Sequence, residues 1–411
     1  GNVTSVTVTI SPQIPLCYTK RAAKWYMGNT VALNFLCASP PTPLDDCQST
    51  SNGNMENNVS ISDVNGDLLF YAFDNVVMNR NHVIMPNGSG LQTGYSSSQG
   101  FLPVPHPTDP NKYYLFTIGT SGGGGLSYSE IDLLANGGLG DVILATKNTP
   151  LLAGVQEHLT AVESCIAGET WVIVHDANNI YSFRVSASGI SAPVVSAATV
   201  VLPSSPGQMK ASPTGRHIAL SVQNSPSFLF QFDNETGKAC YKETLTHGGY
   251  GCSFSNNGNY FYANDMFQGI WQYDAYAAVV DPTGIMVYDP WVGGSFIYGG
   301  MHLGPDCKLY AFGSNNPLGT VINNPNVAGL GCNVSPGSFP LSNGSPNYSG
   351  HFASANYIQS WFKDPTYVEP VIDANFTFVT ACLPAPTNFT NTSVHINDCP
   401  TYLWNFGDPA S

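Results

Sequence analysis

The stretch ISDVNGDLLFYAF, residues 61–73, joins the end of one strand to an aromatic-rich second strand through a tight Asp/Asn/Gly turn. Turn residues of this kind supply side-chain hydrogen bonds and positive φ, while the Leu/Phe/Tyr run suits a pleated surface. The same unit returns as PHPTDPNKYYLFTI (105–118), VESCIAGETWVIVHD (162–176), MKASPTGRHIALSV (209–222), CSFSNNGNYFYAND (252–265) and MHLGPDCKLYAFGS (301–314). The residues opening each second strand are Leu68, Tyr113, Trp171, His217, Tyr260 and Lys308, separated by 45, 58, 46, 43 and 48 residues. A repeat of this length built from strand hairpins predicts four-stranded blades, hence a β-propeller. Six blades are visible. A seventh is expected from both ends, the strand in KWYMGNTVALNF (24–35) closing against one near HFASANYIQSWF (351–362). Such closure leaves no long free edge.

Composition agrees with an all-β chain. Of 411 residues only 10% are charged, while Gly (41), Pro (30), Tyr (21) and Phe (21) are abundant. No segment sustains a 3.6-residue apolar period, and a short helical turn near SEIDLLANGG (129–138) is the most that is expected. Within the blades the pattern alternates, as at Phe228, Phe230 and Phe232 or at Trp271 and Tyr273, so one strand face packs on a neighbouring blade. With 13 Lys+Arg against 27 Asp+Glu, a formal charge of −14 leaves no cationic groove for nucleic acid or an anionic membrane surface. No run of 18 apolar residues is present, so no spanning helix is expected.

Ten cysteines without a CxxC or a Cys/His cluster favour disulfides and an oxidising compartment, hence export. Sequence proximity suggests Cys37–Cys47, Cys240–Cys252, Cys307–Cys332 and Cys382–Cys399, leaving Cys17 with Cys165, but spacing alone leaves the connectivity open. Ten Asn-x-Ser/Thr sequons, at Asn2, Asn58, Asn87, Asn234, Asn333, Asn343, Asn347, Asn375, Asn388 and Asn391, become glycosylation sites only where a host has the machinery.

The register changes near Thr366. Residues 1–365 are assigned to the propeller, and 366–411 read as three or four strands separated by Pro/Asn turns, the N-terminal part of an Ig-like sandwich. Such a sandwich needs about 100 residues, so this module is incomplete as given. Either the native chain continues past Ser411 or a strand from another molecule completes it. An intact mass far above 43.8 kDa would distinguish the first case.

Three groups of residues invite a chemical reading. Asp63, Asn65 and Asp67 stand at i, i+2 and i+4 with Asp74 at the twelfth position, a spacing that suits calcium. Position six is Leu68 rather than Gly, and LLFYAF occupies what would be the loop, so a hairpin turn is the preferred reading. Glu157, His158, His175 and Asp176 could form an acid/base pocket, since imidazole titrates near neutrality and a carboxylate can orient it. Hydrogen bonds joining blades are the simpler use of such residues, including His82 and His302. SGGGGLS (121–127) lacks the Lys and the helix of a phosphate loop and reads as a blade loop.

The blocks WYMGNTVALNF, SISDVNGDLLFYAF, VVMNRNHVIMPNGSGL, GGLSYSEIDLLANGGLGDV, KNTPLL, HLTAV, WVIVHD, VINNPN and NYIQSWF together resemble the propeller region of large secreted surface proteins of Bacteroidetes. The terminal FTNTS and YLWNFGDPAS resemble the start of a PKD domain, in which Trp404, Phe406 and Asp408 are a packing and turn signature. Relatives often carry Gly-Cys-Ala before the SISD strand, where this chain has Met55-Glu56-Asn57-Asn58-Val59. The resemblance implies export, commonly by type IX secretion, with further Ig-like repeats and a sorting or gliding-motility-associated domain downstream. The expectation is therefore a non-enzymatic extracellular surface protein, an adhesion or display module binding glycans, other surface proteins or copies of itself. A subunit of an extracellular filament or sheath is one alternative, and a propeller hydrolase or lyase acting on extracellular polysaccharide is another. No cofactor is expected beyond the calcium considered above.

Overall fold

The computed structural model describes residues 20–28, 31–36, 39–47, 56–94, 96–120, 124–265, 268–293, 299–313, 316–342 and 355–367, together with the strand backbones of 376–379 and 388–391. Seven antiparallel sheets follow one another along the chain, the blades of a β-propeller. Each begins with an inner strand: Lys24–Gly28, Asn58–Ser62, Phe101–Pro105, Thr160–Glu163, Gly207–Ala211, Gly251–Phe254 and Met301–Leu303 in blades 1 to 7. These strands run close to those of neighbouring blades and form the wall of the ring. Inner strands have neighbours on both faces, which is why Asn58–Ser62 and Gly207–Ala211 are buried throughout. Outer strands such as Ile84–Ser89 are buried only at intervals.

The aromatic alternation works as the sequence predicts. In blade 5, Phe228, Phe230 and Phe232 pack with Trp171 and Ile173 of blade 4, while Leu229 between them joins Phe254 and Phe261 of blade 6. One strand thus glues two neighbours. The long 58-residue repeat also has a cause: in blade 3, Asp141–Val142 and Thr149–Ala153 both pair with Gly125–Asp132, so the outer strand is made in two pieces around an inserted turn. The short helical piece expected near SEIDLLANGG is Ala135–Gly138, which joins Gly125–Asp132 to Asp141–Val142 ahead of that turn.

Closure differs from the expectation. Lys24–Gly28, Val31–Asn34 and Thr42–Leu44 form the first blade without a described strand from residues 351–362. Blade 1 meets blade 7 through side chains instead. The Trp25 indole lies edge-on to His302 and Tyr310 at 5.5 and 5.9 Å, and the Ser39 hydroxyl donates to Asp306 at 2.5 Å.

Three of the five expected disulfides do not form, because Cys165, Cys252 and Cys332 are reduced thiols. Cys240 and Cys307 are disulfide-bonded, to partners other than the Cys252 and Cys332 assigned to them by proximity. Topology explains the failure. Cys240 lies on the outermost strand of blade 5 and Cys252 on the inner strand of blade 6. Three strand spacings put them about 14 Å apart, beyond the roughly 7 Å that a disulfide spans. Cys37, Cys17 and the Cys382–Cys399 pair lie outside the described residues. Among the sequons, Asn58 is buried in its inner strand.

Of the expected second module, Phe376–Val379 and Asn388–Asn391 form one antiparallel hairpin, and Trp404, Phe406 and Asp408 lie outside the described residues. No helix among the described residues is long and apolar enough to cross a membrane.

Candidate functional site

Functional chemistry in a ring of blades gathers at its axis, and here the axis is occupied by the chain itself. Asn356 donates to the carbonyls of Phe101 (3.3 Å) and Leu159 (2.8 Å), at the face where the inner strands begin. Ile358 then pairs in parallel with Ala161, and the Tyr357 hydroxyl reaches Ser60 Oγ at 3.0 Å. The Ser360 hydroxyl accepts from the Glu163 amide at 3.0 Å, and the Phe362 carbonyl accepts from Asn256 at 3.1 Å, beyond the inner-strand ends. Gln359 lies 3.4 Å from His302. The Tyr357 hydroxyl also lies 3.4 Å from the Lys24 carbonyl, and only a segment on the axis can touch blades 1, 2, 3, 4, 6 and 7 in this way. Seven of its eight residues from Ala355 to Phe362 are buried.

The face where the inner strands begin carries a second buried layer, made by the residues just ahead of those strands. The Ser98 amide donates to Glu157 Oε2 at 3.3 Å, and Ser98 Oγ accepts from the Gly207 amide at 3.0 Å. Gln99 Oε1 accepts from Met209 (2.7 Å) and Leu159 (3.3 Å). Glu56 is held by the Ser96 hydroxyl and by Tyr250, and burial raises its carboxyl above the ordinary value against those hydrogen bonds. Burial likewise raises the Tyr250 phenol, with Glu56 and Glu157 both acting on it. Glu56 is 8% and Glu157 2% exposed, so these carboxylates tie blades together rather than face solvent.

The four predicted pocket residues separate into different roles. His158 Nδ1 and His175 Nε2 are 2.9 Å apart in stacked, fully buried rings. His175 Nδ1 meets the Asp176 carbonyl at 2.9 Å, so it carries the proton and its Nε2 accepts from His158. Burial pushes His175 down to about 4 and lowers His158 well below the usual range, which keeps both neutral. The Asp176 carboxylate does not orient the imidazole. It caps the next turn, accepting from the amides of Asn178 and Asn179 at 2.7 Å and from the Tyr181 hydroxyl at 2.7 Å.

The first residue of the calcium candidate is engaged with backbone in the same way. Asp63 Oδ1 accepts from the amides of Asn65 (2.8 Å) and Asp67 (2.9 Å), and the turn passes through Gly66 at φ +94°. In blade 5 the Ser212 hydroxyl takes the same role, accepting from Arg216 and His217 at 3.1 and 3.0 Å beside Gly215 at φ +71°. The carboxylate is a turn cap. Among the described residues, no group of three His, Cys, Asp or Glu is placed to hold a metal. His82 meets Tyr71 and Asp46 between blades 1 and 2, and His302 packs among Trp25, Tyr357 and Phe362, so both join elements as expected.

Sequence reasoning missed Glu56, Ser98, Tyr250 and the axial segment, which come from connections with no repeat signal. It also missed Lys210. Gln208, two residues earlier on the same strand, reaches the amides of Cys252 (3.1 Å) and Met301 (2.8 Å), so this side of the strand faces the ring interior. The Lys210 ammonium is buried without a hydrogen-bond acceptor among the described residues, and burial pushes it down to about 7.

The fold and this layered axis define the class: a seven-bladed, all-β propeller whose channel holds its own chain. No family model matches the chain, and no curated protein matches it. Among solved structures it is similar to a candidate 6-phosphogluconolactonase from Bacteroides fragilis, with a TM-score of 0.37 and 13% identity over 59% of this chain and 72% of that one. It is also similar to Chaetomium thermophilum Sqt1 bound to the N-terminus of the ribosomal protein L10, with a TM-score of 0.35 and 12% identity over 56% of this chain and 61% of that one.

Proposed function

We propose that this chain is a non-catalytic binding and display propeller of the cell exterior, presenting the face where its inner strands begin to a glycan or protein partner. The observation that carries the reading is the filled axis, because Ala355–Phe362 takes the place a substrate would need beside the inner strands. The histidines and carboxylates nearest the channel mouth are buried and engaged with backbone, hydroxyl and imidazole partners. Disulfide-bonded Cys240 and Cys307 support an oxidising compartment. So do the secreted surface proteins the sequence blocks resemble.

The test is turnover. Purified protein incubated with aryl glycosides, lactones and polysaccharides should release no product while binding at least one surface glycan or protein saturably. Hydrolysis or elimination that disappears in Glu157→Gln or His158→Ala would overturn the reading.

A further inference from the structure

The inner strand of blade 5, Gly207–Ala211, turns a charge into the ring interior. Gln208 shows where this face of the strand points. Its Oε1 accepts from the Cys252 amide of blade 6 at 3.1 Å and, across the interior, from the Met301 amide of blade 7 at 2.8 Å. Lys210 follows two residues later on the same face. It is fully buried, and its ammonium has no hydrogen-bond acceptor among the described residues.

We propose that Lys210 is a proton-controlled latch for the axial segment. Ala355–Phe362 is seated firmly while the amine is neutral, and protonation favours a state in which the segment has loosened from the axis and water reaches the ammonium.

His302 connects the two. It follows Met301 on blade 7, and the Lys210 charge acts on its ring. That ring lies 3.4 Å from Gln359 Nε2, with centroids 5.4 Å from Tyr357 and 5.0 Å from Phe362. Lys210 and the segment thus share one buried neighbour. An ammonium without an acceptor needs water, and the way in is past whichever element is held least. The blades are held by antiparallel ladders. The segment has one isolated bridge, at Ile358, plus side-chain contacts, and its sequence ANYIQSWF carries no charge that could pair with Lys210.

The other titratable groups around this space keep their charge state. Burial pushes the Cys252 thiol up to about 12, and burial together with Lys210 holds His302 well below its usual range. The Tyr357 phenol, the segment's own titratable group, is turned to Ser60 and the Lys24 carbonyl and is raised by burial. Among the described residues no carboxylate acts on Lys210, which burial lowers to about 7. Of these four groups only Lys210 changes charge between pH 6 and 9. Loosening returns it to water and toward its ordinary value of 10.5, so from pH 7 upward the loosened state holds a proton that the seated state has released. Loosening should become up to about ten-fold rarer per pH unit above pH 7 and level off below it.

The experiment is hydrogen exchange of the whole chain between pH 6 and 9, corrected for the intrinsic rate at each pH and read by mass spectrometry. Protection of Ala355–Phe362 should rise by up to about ten-fold per unit above pH 7, while staying below that of the inner strands of blades 3 to 5 at every pH. Lys210→Met should abolish this pH dependence and hold the segment at its high-pH protection throughout. Lys210→Leu, a second neutral replacement, should do the same and serves if the Met variant fails to fold. A parent segment whose protection is independent of pH overturns the latch. A dependence that survives in the neutral variants also overturns it, since the proton then sits on another group. So does a segment that exchanges only in step with the inner strands, because the charge then acts on the whole ring.

Discussion

Lys210 puts an ammonium where the described residues supply no hydrogen-bond acceptor, on an inner strand buried along its whole length. A buried charge of this kind costs several kcal/mol, so the native state favours the neutral amine, with a pKa near 7 in place of 10.5. The sign follows from proton counts. Between pH 7 and 10.5 the unfolded chain holds a proton that the folded chain has released, so stability rises with pH across this window by up to about 1.4 kcal/mol per unit. Below pH 7 the full penalty is present. Lys210→Met keeps the length of the side chain without its charge and should be more stable than the parent at pH 6.5, by roughly 1–4 kcal/mol. That advantage should shrink steadily toward pH 10, as followed by chemical denaturation. A Met variant less stable than the parent at pH 6.5 would mean that the ammonium has an anionic partner.

Asp63 makes the opposite case, a charged residue whose role the sequence could show. Its turn recurs with serine at position 212, so the side chain is there to cap backbone amides. Asp63→Ala should cost about 1 kcal/mol by thermal melting, with or without calcium. A calcium-dependent rise in melting temperature that Asp63→Ala abolishes would restore the cation site.

At the scale of the element, hairpins were legible because their signals are local. Turn residues, aromatic strands and near-constant spacing identify six second strands, and the structure places every one inside a blade. NYIQSWF was misread as a strand of the closing blade for a physical reason. Residues surrounded on every side are apolar or neutral without a face to alternate, so periodicity cannot separate an axial segment from a buried strand. The acid and imidazole pairs met the same limit, because Glu56, Ser98 and Tyr250 converge from three blades and share no motif. Geometry also assigns Asn356 a role that no pattern carries. Its amide nitrogen satisfies two carbonyls on different blades while almost completely buried. Asn356→Ala should lower stability by about 1–3 kcal/mol, since two buried acceptors lose their donor. Asn326→Ala, which removes a part-buried hydrogen bond to Asp364 near the exit of the same segment, should cost less than half as much. Equal losses from the two would show that Asn356 does not anchor the axis.

On the scale of the whole molecule, every seam between adjacent blades from blade 1 to blade 7 is crossed by a chain connection, except the seam that closes the ring. There blade 1 and blade 7 hold together by side chains alone among the described residues, with Trp25 at the centre. Its indole contacts Phe35 of its own blade at 4.6 Å, His302, Tyr310 and Phe312 of blade 7, and Tyr357 of the axial segment at 6.3 Å. Truncating a buried aromatic costs about 3–5 kcal/mol wherever it sits, so Trp25→Ala and Phe230→Ala should lose similar global stability. Their local consequences should differ. Phe230 lies between blades 4 and 5, which the chain keeps together. Trp25→Ala opens the one seam without that tether, and local opening is governed by the weakest cooperative unit. Hydrogen exchange in Trp25→Ala should therefore accelerate first at Lys24–Asn34, at Met301–Ala311 and at Ala355–Phe362, while the inner strands of blades 3 to 5 keep the protection they have in Phe230→Ala. Uniform loss of protection around the ring would show that closure does not depend on this seam.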